Sequence, residues 1–110
     1  MTETITYRDF KKLDIRIGTV EKCQRVEGSD KLYRLLVDCG EPNPRQIISS
    51  LVDYYTCQEL EGKRIAVLVN LKPAKIFGQT SNGMLLAAEE GDQCVLLTTD
   101  KPIPNGAQVT

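Results

Sequence analysis

The sequence predicts an all-β fold, a five-stranded barrel with short helices and a C-terminal extension, and three observations carry that prediction. Apolar residues recur at every second position in separate short runs: Leu13, Ile15 and Ile17; Tyr33, Leu35 and Val37; Ile65, Val67 and Val69. Turn-forming clusters divide the runs, and one capped helical stretch interrupts them between the third strand and the fourth. The 110 residues are expected to make one domain, residues 1–110, burying roughly 60 to 70 % of the unfolded surface in a single core.

Residues 6–12 predict one or two helical turns, with Thr6 as cap, Asp9 as its acidic partner, and Tyr7, Phe10 and Leu13 on one face. This helix is expected to cover one end of the barrel. From Leu13 the period becomes two, and after Gly18 the apolar phase moves to Val20. A phase slip beside a glycine marks a bulge in a long, coiling strand. Glu27-Gly28-Ser29-Asp30 is turn chemistry, Leu32 to Cys39 a second strand, and Gly40 to Pro44 a loop whose two prolines exclude a strand interior. Arg45 to Ser49 is a short third strand. Thr56 caps a short helix running through Glu59 and stopping at Gly62, with Leu51, Tyr54, Tyr55 and Leu60 supplying apolar contacts. Arg64 to Val69 is a fourth strand, and the fifth is either Met84 to Ala88 or Cys94 to Thr98. A helix inserted between the third and fourth strands of a five-stranded Greek-key barrel is the order of the OB-fold, which many oligonucleotide binders use.

The totals exclude several chemistries. The chain has no histidine, so it offers no Ser-His or Cys-His pair, and it contains neither a Walker-type phosphate loop nor Gly-x-Gly-x-x-Gly. Catalysis is unsupported and no cofactor is expected. Four cysteines (Cys23, Cys39, Cys57, Cys94) lie far apart with no Cys-x-x-Cys, which suits small apolar fillers in a reducing compartment better than a zinc site. Glu89, Glu90 and Asp92 form an acidic cluster that fits a solvated turn better than a divalent ion site. No apolar run reaches 18 residues, so no membrane span is predicted. Met1-Thr2-Glu3-Thr4 carries an acid and no signal region, an expectation of a cytoplasmic product.

Net charge is close to zero, with 14 basic and 15 acidic residues, but the charges are not evenly spread. From Lys63 to Lys75 there are four basic residues (Lys63, Arg64, Lys72, Lys75) and no acid. A patch on a neutral protein binds phosphates modestly and with strong salt dependence.

That patch runs into Asn70 to Met84, a long connection between two strands, and connections of this length usually carry function. It holds two lysines, no acidic residue, the exposed-looking Phe77, and the hydrogen-bonding side chains of Asn70, Gln79, Thr80, Ser81 and Asn82. This is chemistry for holding phosphates and sugars; an ordinary solvated loop has the same composition. The chain has no tryptophan, two phenylalanines and four tyrosines, most at positions that read as buried. Base stacking along an extended strand is therefore disfavoured, and recognition of a folded RNA by shape and backbone fits better.

Asn70-Leu71-Lys72-Pro73-Ala74-Lys75, then Gly78, then Ser81-Asn82-Gly83-Met84-Leu85-Leu86-Ala87-Ala88 resembles the signature of the tRNA-binding domain. That domain occurs as a C-terminal appendix of methionyl-tRNA synthetases, as small free-standing bacterial proteins, and in eukaryotic synthetase-associated cofactors. Asp9-Phe10 with Leu13 to Gly18, Ser29 to Tyr33, and Arg45 to Leu51 resemble its other blocks in the family's order, so the likeness reaches from about residue 8 to about residue 89. Two places depart from it, Glu27-Gly28 and Ser50, and the first leaves some loop contacts open.

The resemblance implies a non-catalytic protein that binds tRNA by shape, as a homodimer built through the extension at about residues 94–110, where Val95, Leu97, Ile103 and Val109 need a partner. The other reading of that tail is closure of its own barrel. Asn70, Lys72, Lys75, Ser81 and Met84 map onto the signature as RNA-binding residues, followed by Arg16, Lys31 and Arg45. Lys72 and Lys75 would neutralise phosphates, Asn70 and Ser81 would bond to backbone or base edges, and Met84 would lie against a base or support the loop. For Asn70 a turn-stabilising role, and for Met84 a core role, stand beside these. Two other functions remain open: an accessory module delivering tRNA to a methionyl-tRNA synthetase on a separate chain, and a dimeric export-type chaperone binding unfolded polypeptide.

Overall fold

A computed structural model describes residues 2–110. Five strands form one antiparallel sheet in the order β3-β2-β1-β4-β7: β1 (Ile15–Arg25), β2 (Tyr33–Asp38), β3 (Arg45–Ser49), β4 (Arg64–Leu68) and β7 (Met84–Leu85). The sheet curls into a nearly closed barrel of the OB type, as predicted. Along β1 the partner changes, because Ile15–Thr19 pairs with β4 while Thr19–Arg25 pairs with β2, and the register slips between Val20 and Lys22. The bulge read from the phase slip is there. The fifth strand is the first of the two alternatives and is cut to two residues; Ala87–Glu90 (β8) and Gln93–Leu96 (β9) fold back on each other as a separate hairpin.

Inside the barrel Val20, Leu35, Val37, Ile47, Leu60, Ile65 and Val67 are almost fully buried. Leu60 comes from α2 (Cys57–Leu60), whose cap is the one predicted: Thr56 Oγ1 accepts from Glu59 N–H at 3.1 Å and Glu59 Oε1 accepts from Thr56 N–H at 2.8 Å. Thr56→Ala is expected to cost about 1 kcal/mol and lower the thermal midpoint by roughly 4 °C. An unchanged midpoint in a thermal melt would remove the cap from the account of this helix.

The outer side of the sheet holds a second, smaller cluster. Ile15, Ile17, Ala66 and Leu68 are buried there beneath Leu86, Ala107 and Val109. The tail reaches them by pairing with the free edge of β1: Gly106 N–H donates to Ile17 O at 2.7 Å, Ile17 N–H to Ala107 O at 2.9 Å, and Val109 N–H to Ile15 O at 2.8 Å. Val109 is therefore spent within the chain, whereas Val95, Leu97 and Ile103 stay exposed.

Two expectations are corrected. The helix α1 (Tyr7–Phe10) forms under its Thr6 cap, but none of its residues is buried and Tyr7 is 73 % exposed, so it does not plug the barrel. The Tyr7 ring stays on the surface beneath Lys11, whose Nζ lies 5.6 Å from its centroid. The aromatic inventory is also less buried than it reads, since Tyr7, Tyr54 and Phe77 are all exposed.

Candidate functional site

The connection from Asn70 to Met84 is not an irregular loop. Ala74–Ile76 (β5) and Gln79–Ser81 (β6) pair as a two-stranded hairpin whose tip is Phe77-Gly78. Both tip residues have positive φ, 53° and 81°, the requirement of the tight turn whose twist matches flanking strands. Lys72 and Lys75 are exposed on this segment, and among the described residues neither joins an ion pair.

The hairpin is held at its base by side chains that sequence reasoning assigned to the ligand. Arg45, on β3, donates from Nη1 to Val69 O at 3.1 Å and to Asn82 O at 3.0 Å, so one guanidinium grips the chain entering the hairpin and the chain leaving it. Its other edge meets the carboxylate of Glu41 in two bonds, at 2.7 and 2.9 Å. Asn70 accepts from Asp14 N–H at 2.9 Å and donates to Lys12 O at 2.7 Å, fixing the entry strand. Ser81 is 4 % exposed; its hydroxyl accepts from Ile48 N–H at 3.0 Å and donates to Gly83 O at 3.2 Å. Ser81 thus faces inward with its hydroxyl bonded on both sides within the chain. Asn70 spends both ends of its amide on the Lys12–Asp14 segment before β1, a long-range tie rather than a contact within its own turn.

Gln46, which sequence reasoning missed, completes this base. It donates from Nε2 to Thr80 O at 2.8 Å while its own carbonyl accepts from Asn82 N–H at 2.8 Å. Its Oε1 accepts from Arg34 Nε at 2.7 Å, and Arg34 Nη1 donates to Gln24 Oε1 at 2.9 Å. A polar chain thus crosses β1, β2 and β3 and ends on the hairpin. Nothing in a strand-like run such as Arg45-Gln46-Ile47 marks Gln46 as a tie.

Arg16, in β1, is bonded to Asp14 at 2.6 Å and to Gly106 O at 3.1 Å. It secures the tail. Between Arg16 and Arg45 lies an open cavity of about 410 Å³ lined also by Asp14, Glu41, Asn105 and Gly106. Two guanidiniums face two carboxylates, so the cavity carries no net attraction for anions. Lys31, beyond the turn between β1 and β2, is exposed and outside every ion pair among the described residues. Met84 is about half exposed at the start of β7. The free cationic side chains of the predicted set are therefore Lys31, Lys72 and Lys75.

The bond from Arg45 holds the Glu41 carboxyl below its ordinary value of 4.5. A depressed carboxylate contributes stability above its unfolded value and loses it as pH falls through the folded one. Wild type should therefore be more stable than Glu41→Gln near neutral pH, by no more than about 1 kcal/mol for so exposed a pair. The gap should close as pH drops below 4.5. Thermal melts of both proteins across that range check it, and a constant gap would remove the ion pair as its cause.

Three of the four cysteine thiols, Cys23, Cys39 and Cys94, are held protonated by burial. Burial pushes Cys39 up to about 11 and raises Cys23 and Cys94 as well, which leaves the thiolate scarce at neutral pH. Among the described residues no group of three His, Cys, Asp or Glu is placed to hold a metal ion, and no helix is long and apolar enough to cross a membrane.

Comparison with known proteins follows the same lines. The family model described as "Putative tRNA binding domain" matches residues 15–108. A methionine–tRNA ligase of Archaeoglobus fulgidus is 50 % identical over 107 residues, covering 97 % of this chain and 16 % of that protein. The chain spans about one-sixth of the length of the curated relatives it matches. Among solved structures, a MetRS-related protein from Pyrococcus horikoshii superposes with a TM-score of 0.92 at 35 % identity, covering 99 % of this chain and 100 % of that one. Chaperone CsaA from Bacillus anthracis does so with a TM-score of 0.88 at 28 % identity, covering 98 % and 100 %.

Proposed function

The chain belongs to the tRNA-binding domain family, and on that premise we propose that it is a non-catalytic protein that binds tRNA as a homodimer, reading shape and backbone. The observation that carries this is the β5–β6 hairpin, which presents Lys72 and Lys75 uncompensated on a rigidly clamped base. Lysines free of carboxylates keep their full attraction for phosphate, and a clamped hairpin loses little entropy on binding. Lys31 adds a third exposed cation, with Arg45 and Asn70 as positioning residues and Met84 available as an apolar contact. No base-reading set of side chains is needed for a ligand recognised by its fold.

Exposed Val95, Leu97 and Ile103 support the dimer, because apolar residues still exposed after Val109 has packed on its own chain suit a self-complementary two-fold contact. Leu97→Asp is expected to shift the protein to monomer in sedimentation equilibrium. A monomeric wild type would end this part of the proposal.

The test of function is binding of total tRNA, a single-stranded oligonucleotide and an unfolded polypeptide at two salt concentrations. The proposal expects tRNA to bind best and to weaken steeply with salt. The likeness to a chaperone gives the second reading, in which the exposed apolar surface takes unfolded polypeptide; preferential polypeptide binding, insensitive to salt, would put that reading first. Delivery of tRNA to a methionyl-tRNA synthetase would show instead as a complex with that enzyme.

A further inference from the structure

Phe77 is the one non-glycine among the described residues with a positive φ, 53°. A bulky aromatic is a poor choice for the first central position of such a turn, where Asn or Gly adopts the left-handed conformation at little cost. Burial does not compensate, since the side chain is 59 % exposed. An aromatic that is both strained and solvated points to a function outside the folded chain.

Its surroundings narrow that function. A Cβ on Gly28 would lie 3.4 Å from Phe77 Cε2 and 3.8 Å from Cζ, so the ring edge rests on the turn between β1 and β2. The tip of the fourth-to-fifth-strand connection therefore touches the first-to-second-strand turn, and in OB barrels these two loops flank the nucleic-acid face. Gly28 leaves the ring uncovered. Lys75 precedes Phe77 by two residues and Lys31 follows Gly28 by three, so exposed cations stand on both loops.

We propose that Phe77 is a stacking platform for one unpaired nucleobase of a folded RNA, with Lys75 and Lys31 on the flanking phosphates. The inference rests on the tRNA reading above and adds to it a single sequence-tolerant contact to a splayed base. Stacking of this kind uses the π face that every base has, and unstacked bases occur in RNA loops and bulges.

The absence of tryptophan makes the test direct. Phe77→Trp places one fluorophore at the hairpin tip, and its emission is expected to be quenched as tRNA is added, saturating with binding measured independently by anisotropy. Phe77→Leu, apolar without a ring, is expected to bind tRNA about tenfold or more weakly with its salt dependence unchanged, while Phe77→Tyr retains wild-type affinity. Circular dichroism melts of the three variants show whether the barrel is intact. Wild-type affinity in Phe77→Leu, or an emission indifferent to bound tRNA, would overturn the stacking role and leave the lysine contacts standing. If the wild-type protein binds no tRNA, the underlying reading fails and this one with it.

Discussion

Reversing both hairpin lysines, Lys72→Glu with Lys75→Glu, is expected to weaken tRNA binding by roughly 100-fold. Two charge-assisted contacts of about 1.5 kcal/mol each amount to that factor. The slope of log affinity against log salt should also fall by about two, one for each phosphate contact removed. Stability should hardly move, because both side chains are exposed and outside any ion pair among the described residues. The combination separates a binding defect from an unfolded hairpin: Arg45→Ala strikes the clamp instead, and should lower stability as well as affinity. If the double reversal bound tRNA like the wild type, the hairpin would not be the RNA surface.

Replacing Gly40 by alanine is expected to cost roughly 2 to 4 kcal/mol and to free the tail. Gly40 has φ 81°, and a Cβ there would lie 2.6 Å from Asn105 O and 3.0 Å from its carbonyl carbon. Asn105 cannot retreat without loss. It accepts from Thr19 Oγ1 at 2.8 Å and donates to Asp38 Oδ2 at 3.2 Å, immediately before the segment that pairs with β1. Displacing it would uncover Ile15, Ile17, Ala66 and Leu68. Gly62→Ala is the control, since Gly62 has φ 89° but no atom within 4 Å of a built Cβ, so it should show the backbone strain alone. Urea denaturation measures both costs, and faster amide exchange at Gly106 and Val109 in Gly40→Ala would locate the damage. Equal costs in the two variants would mean that the tail does not depend on this approach.

The barrel was legible in the sequence where packing follows period two. Tyr33, Leu35 and Val37 face the interior as alternation predicts, and the Thr56 and Glu59 pair caps its helix. Alternation was misleading in β4, where Ala66 and Leu68 on the outer face are buried as well as Ile65 and Val67 within. The tail covers them, and no local pattern announces a partner 40 residues away. The β5–β6 hairpin was hidden for a related reason. Ala74-Lys75-Ile76 and Gln79-Thr80-Ser81 lack a run of alternating apolar residues, and Phe77 is not the residue that a tight turn asks for.

The candidate site was legible by residue type more than by role. Arg45, Asn70 and Ser81 are strong hydrogen-bonding groups in a segment that needs them, yet the structure directs those bonds to Val69, Asn82, Lys12, Asp14, Ile48 and Gly83 of the same chain. Side-chain chemistry states how many bonds a residue can make, and only the fold decides with what. Lys72 and Lys75 were easier, because no carboxylate stands near them in sequence and none among the described residues pairs with them in the fold.

Recognition of shape is tested most directly by one tRNA offered in two forms, folded and with its tertiary fold removed by substitutions that leave its length and charge unchanged. Anisotropy titrations at a single salt concentration compare them. The folded form is expected to bind at least about tenfold more tightly, since both forms present the same phosphates and only one presents them in the geometry of the clamped hairpin. Equal affinity for the two forms would contradict it and leave a surface that attracts any polyanion.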